Sequence, residues 1–559
     1  MLVHCFRMLA LLSCFCALPA VAQVQVLTAK RIHTGNPEQP VATAMAWDNE
    51  GRLLDVGEAK TILANHPGAQ HIEAGDATVI PGLIDAHGHL MGLGYALMLA
   101  DLAGTTSKEE VVSRLRDYAR SLTNDAWLLG SGWDQNLWPD KAFPMVADLD
   151  AAFPDRPVWL SRIDGHAGWA NSAALRLVGK TKGRDLKGQW QPQGGRIERD
   201  VAGRPTGVFI DGAMDLVGAL IPAADRRFRE EALSRALQQA TSRGLTGVHD
   251  MGVSAEDLAL MRDFAEAGRL PLRINAYADG NQQALQDLCA NGLYQHGGGR
   301  LQMHGVKLFM DGALGSRGAA LLQDYSDDPH NRGLLVTSPE DFEKAVRKAD
   351  QCGVQVATHA IGDRGNRIVL DTYERVLGER AVQDHRWRIE HAQVLALEDI
   401  PRFRSLGLIA SMQPTHATSD MPWAQDRLGL GRIAGAYAWR RFLEAGVPLA
   451  LGSDFPVESS DPRLGLYAAV SRQDLKGQPA GGWLPDQRLR VEEALRGFTA
   501  GAAYAGRDEQ RVGRLSAGMR ADFLILGADP SGMPAPGLPA LELRSTWVDG
   551  KSVYRAVQE

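Results

Sequence analysis

Eight apolar runs of strand length occupy the middle of this 559-residue chain, several of them separated by amphipathic stretches of helical spacing. They read "TVIPGLIDAH", "GLTGVHDMG", "LPLRINAYA", "MHGVKLFMDG", "GVQVATHAIGD", "HRWRIEHAQ", "GLIASMQP" and "GVPLALGSDFP". Between two of them, "PEDFEKAVRKADQCG" carries apolar side chains near a helical period and meets a natural stop at Gly353. Strand then helix, repeated in this way, predicts an α/β fold built on a (β/α)8 barrel, which takes about 250 residues and more with insertions.

Residues 95–243, between the first two runs, are read as such an insertion, a cap with strand-like pieces of its own in "WLLGSGWD" and "PVWLSRIDGH". Both ends of the chain are β-rich. Asn49-Glu50-Gly51 turns one hairpin near the start and Asp549-Gly550 turns another near the end. Residues 23–78 and 506–559 are therefore expected to pair into one small β-sandwich domain flanking a barrel of residues 79–505, with alternate apolar residues in a common core.

With 45% hydrophobic and 23% charged residues, the composition is that of a globular protein. The net charge of -7 is spread along the chain, which excludes a basic nucleic-acid footprint and an acidic tail. The opening segment has Arg7, an apolar run from Met8 to Leu18, and Ala20-Val21-Ala22 before Gln23. It reads as a secretory signal peptide, residues 1–22, and implies a periplasmic or secreted protein. A lipoprotein signal ending at Cys14 is the rival, with an apolar core short of the usual length. No other segment is long and apolar enough to span a bilayer. Past the leader only Cys289 and Cys352 remain; export would permit a disulfide, but one pair is no framework, and two buried free thiols are expected.

The ends of the runs carry the chemistry. A (β/α)8 barrel gathers its functional side chains at the C-terminal ends of the strands. There the sequence places His87 and His89 after the first run, Lys307 in the fourth, His359 after the fifth, His391 after the sixth and Asp454 after the eighth. Imidazoles and a carboxylate suit zinc and similar divalent ions, and His87 and His89, two residues apart on a strand, face one side together. Lys307 is the misfit, unless burial neutralises it or the amine is modified. Pairing with a neighbour such as Asp311 is the alternative.

In this order the residues resemble the amidohydrolase superfamily. "VIPGLIDAHGHL", "VKLFMDGALGSRGAAL", "THAIGD", "RIEHAQ", "SMQPTHA" and "GSDFPVE" are similar in particular to its YtcJ-like, type 3 branch, and the likeness covers essentially the whole mature chain. It implies a binuclear centre, zinc being the expected metal. His87, His89 and Asp454 would hold one ion, His359 and His391 the other, and a CO2-derived carbamate on Lys307 would bridge them. A metal-bound hydroxide would then attack the C–N bond of an amide, such as an N-substituted amide or formamide, with Asp454 moving the proton. An esterase, cyclic imidase or carbamate hydrolase on the same centre is the first alternative, a mononuclear centre with unmodified lysine is another, and an exported metal-bearing binding protein is a rival of another class.

Trp133, Asp134, His166, Arg317 and His416 are candidates for substrate contact: Trp133 as an apolar wall or a core residue, His166 as a substrate ligand or an ordinary loop histidine. His249, ending the second run, stands equally well behind the ligands or in the core. "HGGGR" lacks the Lys-Ser/Thr of a phosphate loop. The expected partner is a small molecule, with a homodimer left open.

Overall fold

In the computed structural model, residues 24–557 are described apart from 121, 123–125, 183–185 and 281–282. The expected leader, residues 1–22, lies outside the described residues. Eight parallel strands pair in chain order: β1 (Leu83–Gly88), β2 (Leu245–Val253), β3 (Arg273–Asp279), β4 (Leu301–Phe309), β5 (Gln355–Ala360), β6 (Arg388–His391), β7 (Ile409–Met412) and β8 (Leu449–Leu451). All eight predicted runs contribute a strand. Sequences such as "QVATHA" in β5 are buried at every position because one face fills the barrel and the other meets the outer helices.

The outer helices begin where the sequence supplies caps. Ser254 and Ser338 accept the backbone N–H groups of Asp257 and Asp341, and Pro339 follows the second cap. The helix Pro339–Gln351 then stops just before Gly353, whose φ of +69° is left-handed.

Closure between β8 and β1 is made by residues at the mouth. The Asp454 N–H donates to the His87 carbonyl at 2.7 Å and the His89 N–H to the Phe455 carbonyl at 2.8 Å. His391 and Asp454 have φ of +71° and +63°, left-handed conformations that cost about 1–3 kcal/mol in a non-glycine residue and collect at functional sites.

The β-rich ends form one eight-stranded sheet. Its order is Lys551–Arg555, Leu543–Val548, Phe523–Leu526, Thr78–Pro81, Gln25–His33, Val41–Trp47, Leu53–Gly57, with Gln70–Glu73 paired to Gln25–His33. In a flat sheet Trp47 and Trp547, four strands apart, would lie roughly 19 Å from each other at about 4.8 Å per strand. Their rings are 6.2 Å apart, so the sheet curls over its own apolar face as a sandwich does. A register shift between Thr28 and Ile32 supplies a bend. Arg273 on β3 ties this sheet to the barrel through Asp522 and Asp549.

The insertion has a six-stranded sheet running from Gly195–Arg199 through Pro205–Asp211, Ala167–Ala170, Val158–Arg162 and Leu128–Trp133 to Ala100–Asp101. Among the described residues no helix is long and apolar enough to cross a membrane.

The cysteines correct an expectation. Cys289, in helix Gln283–Asn291, and Cys352, closing helix Pro339–Gln351, are not free thiols but a disulfide. These helices follow successive strands, β3 and β4, so the ring of helices brings residues 63 apart in sequence to a Cα separation of 5.1 Å. Closing so long a loop removes about 4 kcal/mol of unfolded-chain entropy in the chain-entropy account.

Candidate metal centre

A cavity of about 1340 Å³ opens at the C-terminal ends of the strands, walled by the barrel and the insertion together. His87, His89, Lys307, His359, His391 and Asp454 all line it. Their imidazoles form a connected row: ring centroids are 5.5 Å apart for His89 and His87, 4.8 Å for His87 and His391, and 4.6 Å for His391 and His359.

Three of these rings are locked in one tautomer. Nδ1–H donates to the Glu390 carboxylate in His87 (2.6 Å), to the Met251 carbonyl in His89 (2.9 Å) and to the Gln413 side-chain oxygen in His391 (2.9 Å). Each acceptor makes Nε2 the lone-pair nitrogen, the arrangement by which proteins present histidines to metals. His87 Nε2 and His89 Nε2 lie 3.4 and 3.1 Å from Asp454 Oδ1. One ligand atom each from His87, His89 and Asp454 fall within 4.8 Å of one another, and so do those of His391, His416 and Asp454.

Orphaned polar atoms point the same way. His359 Nε2, His416 Nε2 and Asp454 Oδ1 are buried without a hydrogen-bond partner, a costly state that a bound cation relieves. Burial opposes ionisation of Asp454, but His87, His89 and His416 outweigh it and hold the carboxyl well below the usual range. The residues present fit a divalent metal.

Lys307 is 1% exposed, with Nζ 3.2 Å from His87 Nε2. Burial pushes its pKa down to about 8, with Glu390 and Asp454 pulling it back up. It does not pair with Asp311, whose carboxylate accepts the backbone N–H groups of Ala320, Ile361 and Gly362.

Beneath the row lies a charged pair that the sequence reading missed. Arg388, wholly buried, pairs with Glu390 and also donates to the Ala86 carbonyl (2.6 Å), Ser411 (2.6 Å) and His249 Nδ1 (2.9 Å). His249 therefore acts from behind the row, its pKa pushed down to about 3 by burial and by Arg388. The signal was present in "RIEH", where two opposite charges two residues apart sit on one face of a strand that is buried throughout.

The profile of the amidohydrolase family matches residues 70–554. The chain belongs to the amidohydrolase family. It is 34% identical to YtcJ of Bacillus subtilis (strain 168) over 92% of this chain and 97% of that one. It is 30% identical to an N-substituted formamide deformylase of Arthrobacter pascens, over 90% and 93%. The fold superposes on the crystal structure of an uncharacterized metal-dependent hydrolase from Pyrococcus horikoshii OT3 with a TM-score of 0.73 and 28% identity, covering 92% of this chain and 99% of that one. The amidohydrolase is thus a metal-dependent hydrolase with a small-molecule substrate.

The insertion of this amidohydrolase delivers His166 and Asp134 to the cavity. His166 Nδ1 is 2.6 Å from Asp211 Oδ1, and its ring centroid is 5.1 Å from that of His359. Burial opposes its protonation, but Asp211 outweighs this and raises the pKa to about 9. Asp134 pairs with Arg162. His416 also lines the cavity.

Two expected substrate contacts are corrected. Trp133 is fully buried against Trp138 and Trp169, its indole N–H donating to the Leu160 carbonyl, so it belongs to the insertion's core. Arg317, held at a φ of +57°, pairs with Asp327 at 3.0 Å and lies off the cavity wall.

Proposed function

We propose that this chain is an exported hydrolase of C–N bonds in amide-like small molecules, with N-substituted amides or formamides as the substrate class. The carrying observation is the donor set: three imidazoles locked as Nδ1 donors, with Asp454 between two groups of candidate ligands. In this reading His87, His89 and Asp454 would hold one divalent ion and His359 and His391 a second, with Lys307, as its carbamate, a shared ligand; zinc is the expected metal. When bound, such ions supply a water that ionises near neutral pH and a Lewis acid for the scissile carbonyl.

The rest falls to the chain's own residues. Asp454, kept ionised by its imidazole neighbours, accepts the proton of the attacking water and returns it to the leaving nitrogen. His166, tethered through Nδ1 to Asp211, presents Nε2 to the substrate, and Asp134 borders the same space. Likeness to the formamide deformylase supports the substrate class, and the Cys289–Cys352 disulfide supports an oxidising compartment.

Elemental analysis of the mature protein, purified without chelator in bicarbonate, is expected to find about two divalent ions per chain. A panel of N-formyl amines, N-acyl amines, imides, carbamates and esters, each with and without chelator, then tests the reaction. Chelator-sensitive release of amine from the first two groups is expected. Turnover confined to esters would reject C–N hydrolysis, and a metal-replete protein that turns over nothing would be a binding protein.

Lys307→Ala is expected to empty at least one metal site, with partial refilling when short carboxylates are added. Full occupancy in that variant would rule out the bridge.

A further inference from the structure

His416 stands in the first turn of the helix Pro414–Asp420, directly after β7. The preceding Gln413 is the residue that fixes the tautomer of His391, so one short segment serves that imidazole twice: by a hydrogen bond to Nδ1 and by a second ring laid nearly parallel, at 18° and 5.9 Å. His416 is 9% exposed, and its Nε2 is buried without a hydrogen-bond partner. That atom lies 3.7 Å from Asp454 Oδ2, while Asp454 Oδ1 is the oxygen that approaches His87 and His89.

We infer that His416 is a metal ligand: with His391 and Asp454 Oδ2 it forms a second seat for a divalent cation, next to the seat of His87, His89 and Asp454 Oδ1. This rests on the binuclear reading above and adds to the second ion a ligand that needs no CO2. Nitrogen and oxygen ligands bind zinc at about 2.0–2.2 Å, which sets tetrahedral neighbours roughly 3.3 Å apart and wider pairs near 4 Å. The 3.7 Å separation falls in that interval, as does the 3.4 Å separation of His87 Nε2 from Asp454 Oδ1 in the first seat, with His89 Nε2 slightly closer at 3.1 Å. One carboxylate thus serves both seats, an oxygen to each. His416 Nε2, buried without a hydrogen-bond partner 3.7 Å from a carboxylate oxygen and beside the His391 ring, has a polar requirement that a cation held between the three groups meets.

The test is titration of the metal-free, full-length mature protein with Co2+, followed by calorimetry and by the visible absorption of the bound ion, for the wild type, His416→Ala and His416→Gln. Wild type is expected to take up about two ions. Both variants are expected to bind the first as wild type does and the second at least about 100-fold more weakly, with loss of the second ion's absorption band. Undisturbed first-site binding reports that each variant is folded, and Gln, closer to His in volume, carries the test if Ala does not fold. Two ions bound with wild-type affinity in either folded variant overturn the assignment and return His416 to the substrate. A wild type that binds a single ion refutes the binuclear reading, and His416 is then judged on that ion, unchanged affinity in the variants overturning its role as a ligand.

Discussion

Asp454→Asn lowers kcat by a factor of about 10³ or more, with the ion of the His87 and His89 seat retained and added metal saturating the second seat, which loses its Oδ2 ligand; that factor is the scale expected when a positioned acid–base group is lost. Asn keeps an oxygen able to reach His87 and His89, which stand 3.4 and 3.1 Å from the native Oδ1, but it cannot take up a proton near neutral pH. The substitution also spares the fold. Asp454 has a φ of +63°, a left-handed conformation that Asn adopts at least as readily as Asp, and its contribution to barrel closure is a backbone N–H to the His87 carbonyl. Steady-state kinetics and metal content on one preparation decide the matter. Activity within tenfold of wild type at full metal content would remove Asp454 from the proton path.

The barrel was legible because its strands are buried on both faces, so each appears as an unbroken apolar run, and because helix caps such as Ser338-Pro339 sit where the runs end. The residues at the strand ends were legible for the same reason: a His, Lys or Asp stands out against such a run. What escaped depends on small backbone events. Trp133 and Asp134 are adjacent, and the register of β-pairing shifts between Ser131 and Trp133, at Gly132 with its φ of +108°. A one-residue slip exchanges the two faces of a strand, which sends the indole into the insertion's core and leaves the carboxylate on the cavity. Arg317 follows the correct strand, but its left-handed backbone carries it toward Asp327. The disulfide escaped because it joins neighbouring outer helices, a proximity that exists only once the barrel has closed.

The Arg388–Glu390 pair escaped because charged residues inside an apolar run look like exceptions to burial, and its size makes the second large prediction. Both side chains are 0% exposed, and Glu390 is the acceptor that orients His87. Arg388→Met keeps much of the volume but leaves a carboxylate in the barrel with its counter-ion gone. Breaking a buried pair from one side costs about 3–5 kcal/mol, whereas replacing both partners with apolar groups costs far less. Arg388→Met is therefore expected to shift the urea midpoint sharply downward, and Arg388→Met with Glu390→Met to recover much of that loss, a non-additivity that a double-mutant cycle reads directly. The recovered protein should still be a poor metal binder: with Glu390 absent, His87 Nδ1–H loses its acceptor and the ring its fixed tautomer, a change worth about 10–100-fold in metal affinity. Stability and metal binding thus separate in the double variant. An Arg388→Met protein within about 1 kcal/mol of wild type would mean that the pair orients His87 without holding the barrel together.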